Sequence, residues 1–131
     1  MARPREKNPT PAELEVLRVI WESGPCTVRD ALTMLNKQRP RAYTSVMSLM
    51  NVMTKKGLLS QKARGRAFVY SARLSQEKTR SSMLKDLLMR GFDGSASVLV
   101  SHLLEQSEPT ADELDEIRRT IAEFSRQKGG A

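Results

Sequence analysis

Apolar residues recur at helical spacing in three segments of the N-terminal half. Thr10 and Glu13 frame a capping box with a proline between them, which predicts the start of a first helix that ends before Gly24. Two further helices are predicted over about 27–36 and 42–57, the former capped by its threonine. The apolar positions expected to pack together are Leu14, Leu17, Ile20 and Trp21, then Val28, Ala31, Leu32 and Leu35, then Val46, Leu49, Met50 and Met53.

A different pattern follows the third helix. Residues 58–62 and 67–71 can each form a short strand. The four residues between them include Gly65, which can supply the positive φ that a tight hairpin turn needs. Three helices followed directly by a hairpin is the order of elements in a winged helix-turn-helix.

Helical spacing returns in residues 75–131, where three more helices are predicted to begin near Ser75, Ser95 and Thr110. The last of them carries an apolar seam at 3-4-3 spacing, made of Leu114, Ile117, Ile121 and Phe124. Three amphipathic helices of this size bury little surface alone. The seam is therefore expected either to pair with a second copy of the chain, which symmetric DNA-binding proteins favour, or to fold back on residues 83–88.

The predicted fold class is mainly α, an N-terminal winged helix-turn-helix followed by a helical dimerisation region. The expected boundaries are a flexible basic arm over 1–9, the winged helix over 10–74 and the dimerisation domain over 75–131. Charge divides in the same way: residues 1–74 hold 14 Lys and Arg against 5 Asp and Glu, whereas residues 75–131 hold 8 against 10. A basic half joined to a slightly acidic half indicates one part that binds a polyanion and another that binds protein.

The third predicted helix presents short hydrogen-bonding side chains and no carboxylate on its polar face. Slender polar groups let a helix approach base edges in the major groove, while cations at its ends and on the hairpin contact phosphates. Lys37 and Arg39, just ahead of the helix, add to the same basic footprint. The predicted DNA-binding residues are Arg41, Tyr43, Thr44, Ser45, Ser48, Asn51, Lys55, Arg64 and Arg66.

Other classes of protein find less support in the sequence. His102 is the only histidine and lies among apolar residues, and Cys26 is the only cysteine, so no metal site, cofactor or catalytic group is predicted. No apolar run approaches the roughly 20 residues of a membrane span, and a cytoplasmic protein is expected. Two alternatives stay open: a winged helix whose basic face binds an acidic protein, and a regulator with a small-molecule pocket.

Several segments resemble one known family in the same order over residues 10–72. They are Ala12 to Leu17 with Ile20-Trp21, Gly24-Pro25 with Thr27 to Arg29, Ala42 to Val46, Lys56 to Leu59, and Gly65 to Tyr70. Together they resemble the BlaI/MecI/CopY family of penicillinase and copper-homeostasis repressors.

The resemblance implies a homodimeric repressor bound to a palindromic promoter site. It places the recognition-helix hydroxyl pair at Thr44 and Ser45, and Leu103 and Leu104 in the dimerisation domain. Such repressors are relieved through a membrane-bound sensor metalloprotease that responds to β-lactams and leads to repressor cleavage. The chain has neither a cysteine after Cys26, which the copper-responsive branch requires, nor the Asn-Phe pair at which the best-known β-lactam repressors are cut. Because the copper-responsive branch requires those cysteines, the resemblance favours a repressor of the β-lactam-resistance or stress type.

Overall fold

The computed structural model describes residues 8–129, and its elements follow the predicted order. They are α1 (Pro11–Ser23), α2 (Val28–Leu35), α3 (Tyr43–Lys56), β1 (Leu59–Arg64), β2 (Ala67–Ala72), α4 (Gln76–Gly91), α5 (Ala96–Ser107) and α6 (Ala111–Gly129). The chain forms two compact units, one ending at Lys85 and the other beginning at Asp86. The mainly helical fold class with its hairpin is confirmed, while a dimerisation domain over 75–131 stays a prediction.

Local capping chemistry explains where α1 and α2 begin. The Thr10 amide donates to Glu13 Oε1 over 2.9 Å, and the Glu13 amide donates to Thr10 Oγ1 over 3.2 Å. Thr27 and Asp30 form a second reciprocal pair at α2, where the sequence predicted a cap by the threonine alone. Of the predicted arm, residues 1–7 lie outside the described part of the chain, and Asn8 Oδ1 accepts a hydrogen bond from Ser82 Oγ at 2.8 Å.

The core of the first unit lies where the first three helices and the base of the hairpin meet. Its buried apolar side chains are Val16, Leu17, Ile20, Cys26, Val28, Ala31, Leu35, Val46, Met50, Met53, Leu58, Leu59 and Tyr70. Leu49, predicted in the buried stripe of α3, is only partly buried at the edge of this core. The Trp21 indole also lies at the edge, where its Nε1 donates to the Leu74 carbonyl over 3.0 Å.

The hairpin, which we call the wing, is longer than the sequence predicted. β1 and β2 pair antiparallel from Leu59 opposite Ala72 to Arg64 opposite Ala67, so the turn needs two residues rather than four. Gly65 at the first turn position has a φ of 62°, and this positive φ reverses the chain without further loop residues. Two backbone hydrogen bonds between Cys26 and Tyr70, of 3.1 and 2.8 Å, attach the wing to the segment between α1 and α2.

The second unit presents a different surface. Neither α5 nor α6 contains a buried residue. Large apolar side chains of this unit are instead exposed, namely Leu87, Met89, Val98, Val100, Leu103, Ile121 and Phe124. Among the described residues, no helix is both long and apolar enough to cross a membrane.

Burial of Cys26 predicts that the free energy of unfolding decreases at alkaline pH. Burial, with a smaller contribution from the Asp30 charge, raises the pKa of the Cys26 thiol from 9.0 to about 11. The unfolded thiol therefore ionises first, so this stabilisation is complete below pH 9 and is lost as the pH rises towards 11. We expect the free energy of unfolding of the parent to fall over that interval by on the order of 2 kcal/mol more than that of the Cys26→Ala variant. Urea unfolding of the two proteins at successive pH values measures this difference. If their unfolding free energies fall in parallel with pH, the pH dependence does not come from Cys26.

Candidate nucleic-acid interface

Two carboxylates of α1 hold the two ends of α3. Glu13, whose side chain is 3% exposed, accepts hydrogen bonds from Lys56 Nζ at 2.9 and 3.0 Å, at the C-terminal end of α3. Glu15 contacts Arg39 Nη2 at 3.1 Å and Arg41 Nη2 at 3.0 Å, just before α3 begins. Since both anchors come from one helix, α1 fixes where α3 lies relative to the rest of the unit.

Arg41 has a role inside the protein that its charge and its place in the sequence do not indicate. Its side chain is only 10% exposed, and its Nη1 donates to the Leu35 carbonyl over 2.6 Å. Its Nη2 lies within ion-pair distance of Glu15 but is off-axis for a hydrogen bond. The Arg41 amide also donates to Asn36 Oδ1 at 2.8 Å. In this arrangement Arg41 closes the loop that leads into α3, and its guanidinium is occupied by the protein itself.

The predicted polar face of α3 is exposed to solvent. We call it the reading face; its members are Thr44, Ser45, Ser48, Asn51 and Lys55, all of them exposed. One further side chain on this surface, Val52, is 49% exposed and was not among the predicted DNA-binding residues. Helical periodicity assigned apolar residues to the core and gave no reason to look for one among the hydroxyls.

The two wing arginines lie on opposite faces of the hairpin. Arg66 lines a cleft of about 490 Å³ between the wing, α3 and the start of α2. Arg64 lines a separate depression on the other face with Lys62 and Val69. The wing therefore presents cations on both sides of its tip rather than a single basic patch.

The cleft that Arg66 lines, which we call the wing cleft, joins aromatic and cationic groups. The Arg29 guanidinium lies 5.1 Å from the centre of the Tyr43 ring, a cation–π distance. Phe68 faces the same cleft and is 48% exposed. Arg29 and Phe68 were not predicted as interface residues, because their meeting depends on how α2 and the wing pack against α3.

Tyr70 supports the reading face from beneath. Its hydroxyl donates to Asn51 Oδ1 at 3.2 Å, while its ring is buried in the core. Burial, and to a smaller extent Tyr43, raises the pKa of the Tyr70 hydroxyl, so it remains a hydrogen-bond donor at neutral pH. The contact restricts the carboxamide of Asn51, whose amide nitrogen can then be offered to an acceptor outside the protein.

Potential metal-binding groups do not converge in the described part of the chain. Residues 8–129 contain no group of three or more potential metal ligands. His102 packs against Phe92, with ring centroids 5.4 Å apart. What the geometry does offer is a convex helix face without carboxylates, flanked by cations.

Comparison with known proteins gives consistent results over nearly the whole chain. The penicillinase repressor family model matches residues 9–123. The penicillinase repressor of Bacillus licheniformis is 25% identical over 117 residues, covering 89% of this chain and 91% of that protein. The transcriptional regulator BlaI of Mycobacterium tuberculosis is 31% identical over 119 residues, covering 89% and 85%. The solution structure of the DNA-binding domain of the repressor BlaI matches with a TM-score of 0.50 and 26% identity, covering 56% of this chain and 90% of that domain.

Proposed function

The chain belongs to the penicillinase repressor family of DNA-binding transcriptional regulators, and we propose that it represses as a homodimer bound to a palindromic promoter operator. Family membership confirms the resemblance drawn from the sequence. The homodimer, the palindrome and the residue roles are the proposal. The observation that supports it is that the same chain has both an exposed reading face on α3 and exposed apolar side chains on α5 and α6.

The reading face is suited to the major groove. Its hydroxyls and amide are short enough for α3 to approach base edges closely, and Lys55 at its C-terminal end can meet a phosphate. Arg64 and Arg66 can contact the backbone from either side of the wing, and Arg29 in the wing cleft adds a further cation. Arg41 takes a positioning role in this proposal, since its guanidinium is held by Glu15 and Leu35.

The second unit supplies the reason for two-fold assembly. Helices that bury no residue within one chain gain stability only when their apolar sides meet other apolar surface. In the dimer, the proposed interface residues are Leu103, Leu104, Leu114, Ile117, Ile121 and Phe124. A two-fold dimer places two α3 helices on half-sites about one DNA turn apart, which requires a palindromic operator.

Release from the operator belongs to the same proposal. Family membership supports relief through a membrane-bound sensor metalloprotease in response to a β-lactam or a related stress. Repressor expressed inside cells that do or do not also express such a sensor should be cleaved only where the sensor and the inducer are both present. An intact chain under all conditions would rule this route out.

The main test is selection of binding sequences from random duplex DNA, followed by affinity measurements at several salt concentrations. We expect a palindromic consensus. Arg64→Ala and Arg66→Ala should weaken binding to all sequences and lower the slope of log K against log salt by about one unit per subunit, because each removes a phosphate contact. Arg118→Ala on α6, an exposed arginine paired with Asp115, is the control and should change neither quantity.

Two results would contradict the proposal. Salt slopes unchanged in both wing variants would remove the wing from the DNA interface. Failure to select any sequence would favour the alternative in which the basic surface binds an acidic protein.

A further inference from the structure

Val52 is an apolar side chain in the middle of a polar surface. It is 49% exposed, and Ser45, Ser48 and Lys55 lie seven, four and three positions away on the same side of α3. A valine here adds little to the stability of the helix, since its β-branched side chain has lower helix propensity than alanine and it buries only half its surface. Single exposed apolar side chains are common on protein surfaces, so what distinguishes Val52 is its place among the groups proposed to meet base edges.

The other large apolar residue exposed on α3, Tyr43, is partly covered by a side chain of the protein itself. Tyr43, 39% exposed, lies under the Arg29 guanidinium in the wing cleft. Val52 lies on the other flank of the reading face, because residues 43 and 52 are nine positions apart and an α-helix turns through about 100° per residue. Its surroundings on that side are hydroxyl groups and a lysine.

Within the proposed function, we infer that Val52 reads the 5-methyl group of a thymine in each half-site, with Ser48 donating a hydrogen bond to O4 of the same base. In the major groove thymine presents an acceptor, O4, beside an apolar methyl group, and the other three bases lack that combination. Side chains at i and i+4 on a helix have Cβ atoms about 5–6 Å apart. A hydroxyl at position 48 and an isopropyl group at position 52 therefore form a matching donor–apolar pair.

The test separates the methyl group from the rest of the base. After the operator has been selected with the parent protein, each thymine is replaced in turn by 2′-deoxyuridine, which removes the methyl group and keeps O4. We expect a loss of affinity of about fourfold at one thymine per half-site, the effect of one methyl group leaving an apolar contact. Because a homodimer carries the substitution in both half-sites, Val52→Ala should bind the unmodified operator about sixteenfold less tightly, fourfold for each half-site, and should lose no further affinity when that thymine becomes deoxyuridine.

Two further measurements make the assignment specific to the methyl contact. Ser48→Ala should keep the deoxyuridine penalty, because the methyl group still meets Val52. The salt slope of Val52→Ala should equal that of the parent, because Val52 contacts no phosphate in this proposal. The melting temperature should be no lower, because Val52 is not in the core and alanine has the higher helix propensity.

The inference rests on the proposed function but fails separately from it. If the parent selects an operator and Val52→Ala shows the same deoxyuridine penalty as the parent at the same thymine, the assignment of Val52 is overturned while the repressor role stands. A parent protein that selects an operator but shows no penalty at any thymine overturns it equally. Selection of no sequence at all overturns both.

Discussion

The Glu13→Ala variant should lose about 2–3 kcal/mol of unfolding free energy, the largest stability effect expected from a single polar substitution in this chain. The Glu13 carboxylate is 3% exposed, caps the first turn of α1 through the Thr10 amide and binds Lys56 Nζ across the core. Its removal leaves the Lys56 ammonium, 21% exposed, without its counter-ion and the Thr10 amide without its acceptor. Urea unfolding followed by circular dichroism measures the loss.

α2 offers a matched control for this prediction. Asp30 occupies the same place after Thr27 as Glu13 does after Thr10, and Asp30 Oδ2 likewise accepts a hydrogen bond from the threonine amide, at 3.2 Å. Asp30 is exposed, so Asp30→Ala should cost about 1 kcal/mol or less. Equal losses in the two variants would show that capping alone, rather than the buried ion pair, accounts for the effect of Glu13.

The Ile121→Glu variant should be monomeric at concentrations at which the parent is dimeric, and should bind the operator at least about 100-fold more weakly. A carboxylate at the middle of the seam would be buried without a partner in the dimer. The two half-sites would then be bound independently, which removes the gain of two to four orders of magnitude that linked binding provides. Sedimentation velocity and operator titration measure the two effects, and Ile121 is 54% exposed, so the fold of one chain should not suffer.

Ala122→Glu introduces the same charge one residue further along α6, on the side away from the seam. Arg118 and Arg126 lie one turn before and after it, so the new carboxylate has favourable neighbours. This variant should remain dimeric with parental affinity. If Ile121→Glu also remains a dimer of full affinity, the α6 seam is not the interface.

Features that depend on neighbouring residues were predictable from the sequence. The reciprocal pair of Thr10 and Glu13 and the reversal at Gly65 follow from chemistry within four residues, and the structure contains both. The spacing of apolar residues also predicted α3 and its polar face, because this pattern too is local. The turn was predicted too long because the strand-forming tendency of residues 63 and 64 is weak, whereas pairing with β2 extends the strand to Arg64.

Features that depend on packing between distant segments were not predictable. Glu13 and Lys56 are 43 positions apart, and a carboxylate in a capping box gives no indication that it also binds a lysine at the end of another helix. Arg41 was expected at the DNA surface for its charge and its place before α3, but the fold brings Glu15 against it. Arg29 and Val52 went unnoticed because an isolated arginine and an exposed valine carry no periodic signal.

The hydrogen bond from Trp21 to the Leu74 carbonyl has a practical consequence. Trp21 is the only tryptophan in the chain, and it joins the end of α1 to the segment that follows the wing and leads into α4. Intrinsic fluorescence excited in the tryptophan band therefore comes from this one junction. An emission shift on addition of operator or inducer would report a local rearrangement there, without any label attached to the protein.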